Sequence, residues 1–182
     1  MPITPQQFIA KWKKADLSEM SAYQQHFLDL CELLGQPKPA EADPTGQWYT
    51  FQKSVTKTQG GKGFADVWLQ GKFGWEYKGK HKDLRAAFRQ LLDYREDLEN
   101  PPLLVVCDLN RFEIHTNFTN TRKAVYAFDL DGLGEPKNIA LLRGLFGDPE
   151  ALRPGKVQEK VTEELPFGRR RSYVASAALA GK

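Results

Sequence analysis

Asp66, Glu76 and Lys78 are residues of this chain whose types and spacing could do chemistry together. They lie in GFADVWLQGKFGWEYKGKH, residues 63–81, an otherwise aromatic and strand-like run. If FADVWL and FGWEYK pair as an antiparallel hairpin through a three-residue loop at 70–72, Leu69 stands opposite Phe73, Asp66 opposite Glu76 and Phe64 opposite Lys78. Cross-strand partners share a face with Cβ atoms about 4.5–5.5 Å apart, so two carboxylates and an ammonium converge on one patch. A four-residue loop would put Asp66 on the face opposite Glu76. Adjacent carboxylates repel and raise one another's pKa unless a cation lies between them, which points to a hard metal ion, Mg²⁺ first. The carboxylates would supply oxygen ligands, and Lys78 would orient or help deprotonate a water attacking a phosphodiester. The same residues could instead keep a hairpin edge charged, and their spacing alone leaves both readings open. Glu135, Pro136 and Lys137 spell a second ExK, but in a loop where nothing holds them opposite another acid.

The elements that must position these residues follow from periodicity. TPQQFIAKW reads as a short helix with Phe8 and Trp12 on one side. A longer helix follows, with a capping-box spacing at Asp16 and Glu19, apolar residues at Tyr23, Phe27, Leu30, Cys31 and Leu34, and a stop at Gly35. QPKPAEADPTG reads as a loop, because its prolines and glycine continue neither regular structure. WYTFQKSVTK reads as the first strand, and the two strands of the hairpin follow the TQGGKG turn. DLRAAFRQLLDYREDLEN is an amphipathic helix with Leu84, Ala87, Phe88, Leu91, Tyr94 and Leu98 on its apolar face. PLLVVCD suits a strand covered on both faces, RFEIHT and AVYAFDL continue the sheet, and a helix near 137–146 closes the body. This order describes an α/β fold with a mixed central β-sheet flanked by helices. Residues 1–150 form the expected domain, and 151–182 a linker or truncated spacer tail without a pattern of its own.

Composition bounds the rest. A chain of 182 residues with 41% apolar content can bury one sizeable core. No signal-peptide h-region and no membrane-length apolar window occurs, so a cytoplasmic protein that does not meet a membrane is expected. Cys31 and Cys107 belong to no CxxC pair and read as buried apolar residues. His26, His81 and His115 lack ligand spacing, and His26 reads as helix packing. The net charge of +3 is uneven: residues 153–182 carry seven Lys or Arg against three Glu, which leaves residues 1–152 at −1. Any contact of the body with DNA must therefore use local basic patches. GRRR at 168–171 reads as a solvated basic tail in preference to a phosphate-binding arm.

Asp66, nine intervening residues, then Glu76-Tyr77-Lys78 resemble the PD-(D/E)xK nuclease signature, with Ala65 in place of the proline. Gln90 and Tyr94 are similar to the QxxxY element of RecB-like nucleases, although ordinary helix packing also accounts for them. More broadly, SAYQQHFLDLCELLGQPKP, the run from WYTFQKSVTK through RFEIHTNF, and PEALRPGK resemble the N-terminal nuclease region of MmeI-like (Type IIL) restriction-modification proteins over about residues 8–160. That resemblance implies a restriction-endonuclease-like fold and a Mg²⁺-dependent DNA endonuclease, with Mn²⁺ as a substitute ion. It implies Asp66, Glu76 and Lys78 as the catalytic set and Asp66, Glu76 and the Tyr77 carbonyl as metal ligands. It also implies Gln90, Tyr94 and Glu19 as auxiliary residues, the last equally readable as a helix cap. Lys72, Lys80, His81, Lys82 and Arg85 would approach the phosphates of double-stranded DNA, or simply form a solvated face.

In such proteins the nuclease region is fused to a helical spacer, an adenine methyltransferase and a target-recognition domain. This chain has no room for those parts after residue 150 and shows no S-adenosylmethionine site, so they would belong to a longer enzyme or to separate subunits. NPPL at 100–103 is not a methyltransferase motif: it lacks the aromatic fourth residue and precedes a strand. LPFGRRRSYVASAALAGK stands where a spacer helix is expected, which suggests a truncated or frame-shifted end. The competing reading is a non-cleaving DNA-binding or interaction module left from a restriction-modification methyltransferase.

Overall fold

The computed structural model describes residues 3–15, 19–57 and 60–155, without the side chains of 19–21. The expectations placed on Asp16, on the Glu19 side chain, on GRRR and on the tail beyond 155 lie outside the described residues.

Thr4 caps the first helix, α1 (Pro5–Lys14), by accepting from the Gln7 amide at 3.2 Å while Gln7 reaches back to the Thr4 amide at 2.8 Å. Phe8 and Trp12 are its buried residues, as their spacing predicts. Helix α2 (Glu19–Leu34) ends where Gly35 takes φ 67°, and the Gln36 amide donates back to the Cys31 carbonyl at 2.8 Å. The segment read as a loop contains a four-residue helix, α3 (Pro39–Ala42). Pro39 can open a helix because the first-turn N–H it lacks has no acceptor there. Asp43 then ends it, accepting from the amides of Thr45, Trp48 and Tyr49 at 3.1, 2.6 and 3.0 Å and so launching the first strand.

Six strands form one sheet in sequence order: β1 (Tyr49–Thr56), β2 (Lys62–Leu69), β3 (Phe73–Tyr77), β4 (Leu103–Cys107), β5 (Arg111–Thr116) and β6 (Val125–Asp129). All neighbours are antiparallel except β3 and β4. A parallel pair requires a crossover, and α4 (Leu84–Tyr94) supplies it. This helix stops earlier than its sequence pattern suggests, yet Leu98, beyond its end, is fully buried. The last helix, α5 (Pro136–Phe146), leads into a short 3-10 turn at Pro149–Leu152. Packing continues past residue 150, because Leu152 is buried and Arg153 lies 4.5 Å over the Phe118 ring.

Helices cover both faces of the sheet. On one face Phe27 of α2 lies among Tyr49, Phe51, Phe73, Trp75 and Phe146, with ring centroids 5.3–6.4 Å apart. On the other, Leu84, Ala87, Leu91 and Tyr94 of α4 pack on Val55, Ala65, Trp68, Leu104 and Val106. β4 is buried along its whole length because both layers cover it. Both cysteines are buried and free. No helix among the described residues is long and apolar enough to cross a membrane.

Candidate active site

β3 is the strand that carries the candidate chemistry, and alternation fixes where each of its side chains goes. Phe73, Trp75 and Tyr77 enter the α2 layer, which leaves Gly74 and Glu76 facing α4. Glu76 is only 3% exposed. A carboxylate buried that deeply needs donors, and two converge on its Oε1: Lys78 Nζ at 3.0 Å and Gln90 Nε2 at 2.5 Å. Lys78 also donates to Gln90 Oε1 at 3.2 Å, which closes a triangle between the end of β3 and the middle of α4. Gln90, whose sequence signal was a four-residue spacing to Tyr94, thus meets the ExK pair directly.

Asp66 reaches the same strand end differently from the sequence expectation. The three-residue loop holds, with Gly71 at φ 68° and Leu69 opposite Phe73, and the register continues through Val67 opposite Trp75. There the paired ladder ends. Asp66 does not face Glu76 as a paired residue; its Oδ2 instead accepts from the Tyr77 amide at 2.8 Å, taking the place of a backbone acceptor. The cause lies one strand away. Gln52 has a left-handed backbone, φ 53°, and there β1 changes faces: Phe51 packs in the α2 layer, whereas Lys53 lies over the Trp68 ring and Val55 packs under α4. β2 makes the same change between Ala65 and Val67, so Asp66 sits at the switch. Gln52 Nε2 donates to Asp66 Oδ1 at 3.1 Å and to Tyr23 Oη at 2.7 Å, bracing the acid from the far side.

Tyr77 joins the two halves. Its amide holds Asp66, it follows Glu76 in the chain, and its ring is buried with the hydroxyl 3.0 Å from His26 Nδ1. Burial pushes the Tyr77 phenol well above its ordinary range and lowers His26 to about 3, so both are neutral in the folded protein. Burial, reinforced by the nearby Glu76 charge, also raises the Tyr94 phenol. Tyr94 lies directly beneath Gly63 of β2: a Cβ there would overlap the Tyr94 hydroxyl.

The basic residues divide. Lys72 is at the opposite end of β3 from Glu76 and donates to the Gly147 carbonyl at 2.9 Å, so it does not join the site. Lys80 is turned to the carbonyls of Lys13 and Ala15 at the end of α1. His81 and Lys82 are exposed, and Arg85 is exposed beside Asp83 at 3.3 Å. The second ExK lies away from any such cluster, with Lys137 paired to Glu135 at 2.9 Å on the surface. Asp108 was not singled out from the sequence. At the end of β4 it accepts from the His81 amide at 3.0 Å and from the Asn110 and Arg111 amides, which ties down the segment after Lys78. Its signal was an acid followed by Leu-Asn at the end of an apolar run, a turn former in the right place.

Asp66 and Glu76 therefore flank one peptide unit, each braced by hydrogen bonds to its carboxylate. Oxygen donors of this kind suit a hard divalent cation, and the neighbouring Tyr77 carbonyl is of the same chemical type. Among the described residues no group of three or more His, Cys, Asp or Glu side chains gathers.

The sequence pattern described as "MmeI, N-terminal domain" matches residues 3–166 of the chain. The chain belongs to the MmeI N-terminal domain family. Among solved structures, this MmeI N-terminal domain is similar to a chain of a cryo-EM DrdV–DNA complex, with a TM-score of 0.46 and 16% identity. The similarity covers 87% of this chain and 16% of that one, so the domain spans under a fifth of that chain's length. No curated protein matches it.

Proposed function

We propose that this chain is a Mg²⁺-dependent DNA endonuclease domain of a Type IIL-like restriction-modification enzyme, with a PD-(D/E)xK fold. The observation that carries the reading is the closed Glu76–Lys78–Gln90 triangle at the end of β3, beside an Asp66 held on the Tyr77 amide. A surface hairpin kept soluble by charge has no need to bury its acid, and Glu76 is buried. Asp66 and Glu76, with the Tyr77 carbonyl, would hold Mg²⁺ or Mn²⁺. The bound ion would supply Lewis acidity to a phosphodiester oxygen. Lys78 would orient the attacking water so that an oxygen lone pair faces the phosphorus, and its ammonium would stabilise the negative charge that develops there. Gln90 orients both Glu76 and Lys78, and Tyr94 fixes α4 against β2 so that Gln90 stays in reach. The substrate would be double-stranded DNA, with sequence reading left to methyltransferase and target-recognition parts outside this chain.

Calorimetric titration of Mn²⁺ and Mg²⁺ into the purified chain, its Glu76→Ala variant and its Lys78→Ala variant tests this reading. Saturable binding lost in Glu76→Ala but kept in Lys78→Ala is the expected result, followed by nicking of plasmid DNA that both substitutions abolish. Equal binding by the wild type and Glu76→Ala would remove the acids from the reading. Metal binding without nicking would favour a non-cleaving DNA-binding module.

A further inference from the structure

A shallow depression opens on the outer side of α4, lined by Lys57 from the end of β1 and by Ala86, Arg89, Gln90, Asp93 and Tyr94. Its floor includes Gln90, the residue bonded to Glu76 and Lys78, so it lies immediately beside the candidate site. Two cations face it from different elements. Lys57 is exposed where the β1–β2 connection is closed by its own amide donating to the Gly61 carbonyl at 2.9 Å. Arg89 is exposed one turn beyond Arg85, and its Nε leans back on the Arg85 carbonyl at 3.4 Å. Among the described residues neither forms an ion pair within 4 Å, whereas Lys78, Arg85 and Arg111 all do. Ala86 leaves room between them, and Asp93 is the depression's one acid.

We propose that Lys57 and Arg89 form a phosphate seat for duplex DNA, holding the strand on the α4 side of the Glu76–Lys78 pair. The inference rests on the nuclease reading for its choice of DNA, but it concerns binding and can be tested without cleavage. Phosphate contacts of this kind position a duplex without reading its bases, and each releases condensed counterions. The seat explains how a body of slightly negative charge engages DNA: two cations brought together by the fold, 32 residues apart in sequence, replace a basic run.

The experiment measures binding of a fluorescein-labelled mixed-sequence duplex to the full chain by anisotropy, in EDTA, over a range of salt concentrations. Lys57→Ala combined with Arg89→Ala should weaken binding for every duplex tested and lower the slope of log K against log salt by about two. Lys137→Ala, which removes one positive charge on α5, should leave both nearly unchanged. An unaltered slope in the double variant, an equal loss in Lys137→Ala, or no duplex binding by the wild type would each overturn the seat. The double variant should still bind Mn²⁺ as the wild type does. If Glu76→Ala proves not to affect metal binding while the seat variants lose DNA, the nuclease reading fails and the seat stands.

Discussion

At the scale of single residues, the site depends on how a buried acid is held and aimed. Glu76 sits against the α4 layer, where an ionised carboxylate is costly without donors, and Lys78 and Gln90 meet that need. Gln90 adds something that Lys78 cannot: with one donor group and one acceptor group it fixes the acid and the ammonium relative to each other. Gln90→Ala should therefore lower Mn²⁺ affinity about 10- to 100-fold while the protein stays folded, because supporting hydrogen bonds orient a ligand more than they stabilise a fold. Gln90→Glu should not rescue it, since a carboxylate cannot donate to Glu76. Calorimetry of both variants beside urea denaturation checks this; a loss of affinity that merely tracks a loss of folded protein would make Gln90 structural only. Asp66 is held by a backbone amide and Gln52, so its aim depends on the path of β2.

At the scale of elements, the arrangement rests on how closely β2 and α4 approach. Gly63 is the contact: it has no Cβ, and Tyr94 occupies the space. Gly63→Ala should destabilise the protein by about 1–3 kcal/mol through overpacking against a buried ring, and should disturb Gln90 one turn away on the same helix. Thermal unfolding and metal titration of that variant measure both effects; an unchanged melting temperature would mean that α4 shifts freely. The strands and α4 were legible in the sequence because their apolar periods differ so plainly, and the hairpin register from Leu69 opposite Phe73 to Val67 opposite Trp75 followed from one loop length. The face switch at Gln52 and Asp66 was not, since no propensity marks a glutamine for a left-handed backbone, φ 53°. The helix at Pro39–Ala42 was hidden because prolines in a short segment signal loops more often than first turns. Nor could spacing show that Lys72 and Lys80 spend their ammonium groups on the carbonyls of Gly147 and of α1, contacts 75 and 65 or more residues away.

At the scale of the whole molecule, the site and the aromatic core share one residue, Tyr77, and through it the stability of the body is tied to a titrating group. His26 bonds the Tyr77 hydroxyl and is ringed by Phe8, Trp12 and Phe112 at 4.8–5.7 Å, so α1, α2, β3 and β5 all meet at its imidazole. Burial, opposed by Asp29 and aided by Lys11, lowers its pKa from 6.5 to about 3. In the unfolded chain the same histidine gains a proton below pH 6.5, so the unfolded state binds more protons than the folded one between about pH 6.5 and 3. Stability is accordingly complete above 6.5 and falls as the pH drops toward about 3, by about 1.4 kcal/mol per unit, or about 2 kcal/mol between neutrality and pH 5. His26→Gln keeps a hydrogen-bond acceptor for Tyr77 but does not titrate, so its stability should fall less over that range. Urea denaturation of both proteins at neutral pH and at pH 5 separates this histidine from the carboxylates, which titrate mostly lower. Parallel losses in the two proteins would show that the core does not hold His26 neutral. A loss confined to the wild type would show that the folded core keeps His26 neutral and that the unfolded chain takes up the proton.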